Sequence, residues 1–252
     1  MKWMIVEKGE ELANVSYQLI KQEIMRHPEG LTIGLATGSS PLGVYEEWRK
    51  DQPDCRHVTT VNLDEYVGLA PDHPHSYHTF MNEHLFNSIS FKQSHLPIGN
   101  TVDPVQESER YEQLVRKLGI DLQLLGIGSN GHIAFNEPGT PFDAKTHVTE
   151  LTESTRQANQ RFFDELKDVP VKAITMGIGT IMEAKKILLV ASSARKAEAV
   201  RDMMEGPATT ECPATILQRH ADVMVVLDEE AAGLLSEEAK RTGRAAYMNF
   251  MK

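Results

Sequence analysis

The sequence predicts a single-domain, Rossmann-like α/β fold in which a doubly wound, mostly parallel sheet carries helices on both faces. Three observations lead there. Six short aliphatic runs are bounded by polar or glycine-containing stretches, the mark of strands buried on both faces. Segments between them repeat apolar residues every three or four positions, as amphipathic helices require. The 252 residues, 40% hydrophobic and 25% charged, suffice for one full core, and α/β folds of about 200–250 residues commonly form one domain.

Strands are expected at Trp3–Val6, Leu31–Leu35, Val58–Leu63, Leu122–Ile127, Ile187–Ala191 and Val223–Leu227. Helices are expected at Glu10–Met25, Pro41–Lys50, Val105–Leu118, Glu153–Phe163, Arg195–Met204 and Glu229–Leu235. This alternation favours parallel pairing and places ligands outside the carboxyl ends of the strands. Lys92–Pro104 reads as a long surface loop. No repeat, low-complexity stretch or linker divides residues 1–252, so they are read as one domain. The tail at 236–252 has a packing that the pattern leaves open; Glu237, Glu238, Lys240, Arg241 and Arg244 read as a solvated helical face.

A formal net charge of -10 argues against nucleic acid as a partner, because such binding needs clustered Lys and Arg. Cys55 and Cys212 offer neither a disulfide framework nor zinc spacing, which suits a reducing compartment. The apolar run Trp3–Val6 is too short and too close to Glu7, Glu10 and Glu11 for a signal peptide. No apolar run approaches the roughly twenty residues of a membrane span. A cytoplasmic protein with no membrane partner is expected.

After the strand at Leu31–Leu35 comes Ala36-Thr37-Gly38-Ser39-Ser40-Pro41. Gly38 permits a tight turn, Ser40 suits a helix cap and Pro41 suits a first helical position. The helix start could receive a phosphate dianion, with Thr37, Ser39 and Ser40 as extra donors; a plain capped helix is the other reading. The glycine-lysine of a nucleotide-triphosphate loop and the three glycines of a dinucleotide fingerprint are both missing. ATP and NAD are therefore disfavoured.

Asp64 and Glu65 follow the third strand, where an open sheet collects its ligands. Only one of two adjacent side chains faces the crevice easily, and Asp64 is the preferred base for a proton on carbon beside a carbonyl or imine. A capping or surface acid is the alternative. The fourth strand runs into Gly126-Ile127-Gly128-Ser129-Asn130-Gly131-His132, followed by Phe135-Asn136-Glu137-Pro138-Gly139. His132 exchanges protons near neutral pH and Glu137 can orient it; the alternative is a histidine satisfied in a turn. His73, His75 and His78 lack a completing Cys or carboxylate, so no metal is expected. Arg156, Arg161 and Lys196 are cations able to clamp a phosphate, although single cations are usually solvated.

Taken together, Asn62-Leu63-Asp64-Glu65-Tyr66, the Gly128–Gly139 run and Thr37-Gly38-Ser39-Ser40-Pro41 resemble the glucosamine-6-phosphate deaminases. The likeness extends from the first strand to about Asp228 and includes Thr155–Phe163. It implies conversion of glucosamine 6-phosphate to fructose 6-phosphate and ammonia, without metal or organic cofactor. It also implies Asp64 as the base between C2 and C1, His132 as the ring-opening group, and Glu137 with Asn130 as its partners. Thr37, Gly38, Ser39, Ser40, Arg161 and Lys196 would hold the phosphate.

Some members carry Asp where this chain has Asn130, which leaves Glu137 as the expected electrostatic partner of His132. Thr140, Pro141, His147 and Thr149 stand where certain members place a basic site for N-acetylglucosamine 6-phosphate, so activation by that compound is not expected. Two other readings compete. A 6-phosphogluconolactonase would use His132 to activate water, and a sugar-phosphate-sensing module would bind without acid–base chemistry. Phe135-Asn136-Glu137-Pro138-Gly139 and Asp64-Glu65-Tyr66 fit the deaminase better than the lactonase, while retention of Asp64, His132 and Glu137 and the lack of a helix-turn-helix pattern speak against the sensing module. Whether the chain is a monomer or a homo-oligomer is left open.

Overall fold

The computed structural model describes residues 1–252. Its strands are β1 (Lys2–Val6), β2 (Leu31–Leu35), β3 (Val58–Asn62), β4 (Asp64–Tyr66), β5 (Gln93–His95), β6 (Leu122–Leu125), β7 (His147–Glu150), β8 (Lys172–Thr175), β9 (Lys186–Ala191) and β10 (Val223–Asp228). Its α-helices are α1 (Gly9–Arg26), α2 (Leu42–Asp51), α3 (Tyr77–Met81), α4 (Pro104–Leu118), α5 (Glu153–Asn159), α6 (Ile178–Ile181), α7 (Ala197–Glu205) and α8 (Glu237–Phe250).

Seven strands form one sheet in the order β1-β10-β9-β6-β2-β3-β5, and every neighbouring pair in it is parallel. Strands β2 and β3 are buried at all five positions, which explains why they read as unbroken apolar or threonine-rich runs rather than alternating ones. Two large apolar clusters lie on the sheet's faces. One packs Tyr45, Trp48 and Tyr17 against Ile33 and Leu35, and the other packs Tyr111, Val200 and Met203 with Leu125 and Leu189. Local chemistry sets the helix ends. Asp103 accepts from the Val105 and Gln106 amides at the start of α4, with Pro104 in the first turn.

From β2 the chain builds outward through β3 to β5, then returns to β6 on the other side of β2 and continues to β9 and β10. The order of strands therefore reverses between β2 and β6. A crevice forms at such a switch point, outside the carboxyl ends of the two strands.

Several expectations need correction. The presumed loop at Lys92–Pro104 contains β5, a short polar edge strand that pairs Thr59 with Gln93; polar composition is common in edge strands and erases the apolar signal. Glu229–Leu235 is a series of tight turns, not a helix. Gly233 and Leu235 donate to carbonyls three residues back, while Asp228 accepts the Ala231 amide, and a short run containing glycine has little helix propensity. The helix expected at Glu153–Phe163 ends as an α-helix at Asn159 and tightens to a 3-10 turn through Phe162. The one expected from Arg195 opens with a 3-10 turn at Ala194–Lys196. Unanticipated altogether is a small antiparallel sheet, β4-β8-β7.

The terminal segment folds as α8, capped by Ser236, and lies against β1. Trp3 Nε1 donates to the Ala239 carbonyl at 2.9 Å. At Gly243 a β-carbon would stand 2.7 Å from Ile5, so glycine allows this close approach. No helix is long and apolar enough to cross a membrane.

Candidate active site

A pocket of about 170 Å³ opens at the switch point. The segments after β2, β3, β6 and β9 all reach it, as does the helical segment beginning with α5. Of the ten residues expected to form a site, nine line it: Thr37, Gly38, Ser39, Ser40, Asp64, Asn130, His132, Arg161 and Lys196. Glu137 lies just behind the wall, bonded to Asn130.

The loop after β2 runs past Gly38, whose positive φ of 92 few other residues adopt. The expected capping role of Ser40 is not realised: Pro41 occupies the cap position of α2 and no side chain caps it. The Ser40 side chain faces the pocket with Thr37 and Ser39 instead. Arg161 reaches across from the segment after α5, its Nη2 donating to Ser39 Oγ at 3.2 Å. Lys196 comes from the turn before α7. Burial, then the Arg161 and Arg195 charges, pull the Lys196 ammonium down to about 8. Two cations and several hydroxyls converging on one loop suit a dianionic group. Arg156 does not join them; its guanidinium donates to the Leu166 and Val169 carbonyls at 3.0 and 3.1 Å.

Asp64 begins β4 immediately beyond the main sheet, where Leu63 bonds Leu35 on one side and Met176 on the other. It is 6% exposed. Burial first, and the neighbouring Glu65 charge second, push its carboxyl up to about 8 against a smaller opposing contribution from Thr37. Glu65 points the other way and accepts the Tyr66, Tyr77 and His78 amides together with His78 Nδ1. That interaction occupies His78, and His73 Nδ1 accepts the His75 amide. No three His, Cys, Asp or Glu side chains are grouped as a metal site.

His132 ends a tight turn closed by Gly128 N donating to its carbonyl at 2.8 Å. Both glycines of this turn are sterically required. A β-carbon on Gly128 would lie 2.5 Å from the imidazole, and one on Gly131, at φ 81, would lie 2.3 Å from Cys212 Sγ. Glu137 Oε2 stands 3.5 Å from His132 Nδ1, beyond a good hydrogen bond but within ion-pair range. Asn130 bridges the two. Its Nδ2 donates to Glu137 Oε2 at 2.7 Å and its Oδ1 accepts the His132 amide at 3.2 Å. Burial alone would raise the Glu137 carboxyl, yet His132, Thr155 and Asn130 outweigh it and hold the group at about 2.

Residue-by-residue reading of the sequence assigned no role to Tyr77, Thr155 and Asn159, which also line the pocket. Tyr77 and Asn159 meet at the Tyr66 hydroxyl, 3.2 and 3.0 Å away. Tyr66 and His78 do not line this pocket. Tyr66 faces an adjoining aromatic cavity bounded by Phe80, Phe162 and Phe163.

The arrangement brings a carboxylate of raised basicity and an imidazole–carboxylate pair to one small cavity, with two cations beside a hydroxyl-rich loop. It can move protons at two positions of one anionic small molecule. Residues 7–226 match the family model described as glucosamine-6-phosphate isomerases/6-phosphogluconolactonase. A glucosamine-6-phosphate deaminase of Exiguobacterium sibiricum is 87% identical over 252 residues, covering 100% of both chains. One from Bacillus cereus is 55% identical over 237 residues, 94% of this chain and 90% of that one. A solved monomeric glucosamine-6-phosphate deaminase superposes with a TM-score of 0.90 at 47% identity, covering 93% of this chain and 100% of that one. The 6-phosphogluconolactonase of Trypanosoma brucei, at 21% identity and a TM-score of 0.79 over 93% and 98% of the two chains, shares the fold.

Proposed function

The chain belongs to the glucosamine-6-phosphate isomerase/6-phosphogluconolactonase family, and from that we infer that it converts glucosamine 6-phosphate and water into fructose 6-phosphate and ammonia, a step of amino sugar breakdown. The observation that carries this reading is the pairing of Asp64 with the His132–Glu137 couple in a pocket that Arg161 and Lys196 also line.

The substrate's phosphate sits on the Thr37–Ser40 loop between Arg161 and Lys196, which fixes the distance to the reacting carbons. His132 moves the proton between the sugar's O1 and O5 as the C1–O5 bond breaks, giving the open-chain aldehyde. Glu137, kept ionised, favours the cationic imidazole during that transfer, and Asn130 fixes their relation. With C1 now a carbonyl, the hydrogen on C2 is acidic. Asp64 takes it, and its raised pKa makes it a stronger base than an ordinary carboxylate. The enolamine accepts the proton back at C1, which leaves an imine at C2. Water adds there, and the carbinolamine expels ammonia to give the ketose. Carbon 1 is reduced as carbon 2 is oxidised, so the sequence needs no redox partner.

We place the enzyme in the cytoplasm, supported by two free, buried cysteines and by a substrate that is a phosphorylated metabolite. The test of the reaction is incubation of purified protein with glucosamine 6-phosphate, following ammonia and fructose 6-phosphate, beside a parallel assay with 6-phosphogluconolactone. Ammonia release with no lactone hydrolysis supports the reading. Lactone hydrolysis without ammonia replaces it with the lactonase reaction.

A further inference from the structure

The two oxygens of Glu137 have separate partners. Oε2 meets Asn130 Nδ2 at 2.7 Å and faces His132 Nδ1 at 3.5 Å. Oε1 accepts from Thr155 Oγ1, on another element, in a short hydrogen bond, and Thr152 Oγ1 lies 3.3 Å away with its one proton shared between Oε1 and Thr155 Oγ1. Thr155 is 5% exposed and Glu137 7%, so neither group can exchange its partner freely for water.

We propose that Thr155, backed by Thr152, is a positioning residue for ring opening: by engaging Oε1 it fixes the carboxylate's rotation so that Oε2 stays directed at Asn130 and His132. A carboxylate turns about its last bond with little resistance, since terminal torsions of this kind are broad. Asn130 alone constrains one oxygen and leaves that rotation open. A second donor on the opposite oxygen closes it. Thr155 supplies this donor because a hydroxyl carries a single proton and Glu137 Oε1 is the acceptor nearest to it. Thr152 stabilises the arrangement from behind, contacting Thr155 Oγ1 at 3.1 Å and accepting the Thr155 amide at 3.2 Å as the cap of α5.

The placement has a second implication. The helix start that grips Glu137 leads, within a few residues, to Arg161, whose guanidinium reaches Ser39 on the phosphate loop. A single short segment therefore carries both a group that receives the phosphate and the group that orients the ring-opening base. Seating of the phosphate and alignment of Glu137 are thus carried by one piece of backbone.

This role rests on the reaction assigned above, and its test separates the two. Wild type, Thr155→Val and Thr155→Ser are compared for kcat and KM with glucosamine 6-phosphate. Each is also titrated with a 2-amino-2-deoxyhexitol 6-phosphate, an acyclic competitor that binds the pocket and needs no ring opening. Valine keeps the volume of threonine and removes the hydroxyl, so kcat should fall at least about tenfold while KM and the competitor's affinity stay within about twofold. Serine restores the donor and should return kcat to within about threefold of wild type. Thr155→Val with wild-type kcat, Thr155→Ser no better than the valine variant, or a loss of competitor affinity matching the loss of kcat would each overturn the positioning role alone. A wild type that releases no ammonia would overturn the reaction and this role with it.

Discussion

Glu65 stands directly behind Asp64 on β4, fully buried and bound by three backbone amides and by His78. Adjacent positions on a strand project to opposite sides, so the pocket acid has a fixed negative neighbour that never reaches the substrate. Burial first and this charge second raise Asp64 to about 8. A base acts only when ionised, so kcat/KM should fall as pH drops below about 8. Glu65→Gln removes the second cause, and its acid limb should move to lower pH. A pH–rate profile of both proteins checks this.

The same shift bears on stability. A group whose folded pKa lies above its unfolded one contributes stability below the unfolded value of 3.8, and that contribution is lost as pH rises through about 8. Asp64→Asn should therefore gain on wild type across this window and melt higher at pH 9, by about 2–4 °C for each kcal/mol recovered. Its kcat should fall roughly 10²–10⁴-fold. Thermal melts at pH 5 and pH 9 and an ammonia assay provide the measurements.

Glu137 behaves in the opposite sense. Its carboxyl is held at about 2 in the fold against an ordinary 4.5, so its contribution to stability is complete above 4.5 and disappears as pH falls through about 2. Glu137→Gln should be less stable than wild type at pH 7, with the gap closing in that acid range. Denaturant titrations at pH 7, 4 and 2 would show it.

At the phosphate end, Lys196→Met should raise KM for glucosamine 6-phosphate roughly 10- to 100-fold, the value of a charge-assisted hydrogen bond. Arg156→Met should leave KM near wild type, because that guanidinium is spent on backbone carbonyls. In wild type, loss of the Lys196 proton above about 8 should raise KM on the alkaline side. Initial-rate measurements across pH test all three.

None of Thr140, Pro141, His147 and Thr149 is a Lys or Arg that would bring a fixed positive charge to a sugar phosphate. Thr140 Oγ1 is turned to the Glu137 carbonyl and His147 Nδ1 to the Lys145 carbonyl. Adding N-acetylglucosamine 6-phosphate should leave substrate saturation hyperbolic and half-saturation unchanged. A sigmoid relieved by that compound would contradict this.

The parts of the fold visible in the sequence are those with local causes. Five-residue buried strands such as Leu31–Leu35 read clearly because both of their faces are apolar, and the glycines around His132 read clearly because the turn has no space for a β-carbon. Position after a strand marked Asp64 and the Thr37–Ser40 loop only as candidates, and the family resemblance supplied their expected roles. What escaped depends on distant partners. Strands β4, β7 and β8 are three or four residues long with no alternation of their own, and they exist because they pair with each other. Thr155 looks like any helix-start threonine until Glu137, 18 residues earlier, is folded against it. Nor does anything beside Arg156 in the chain reveal that its carbonyl partners lie ten and thirteen residues ahead.

Strand β1 hydrogen-bonds only to β10 and is sheltered by α8, whose Ala239 receives the Trp3 indole across 236 residues. During synthesis at about 5–20 residues per second, β1 waits on the order of tens of seconds for β10 and α8 to be made. An unpaired apolar strand is therefore carried through most of translation, and the sheet's outer margin closes only once β10 and α8 have been made.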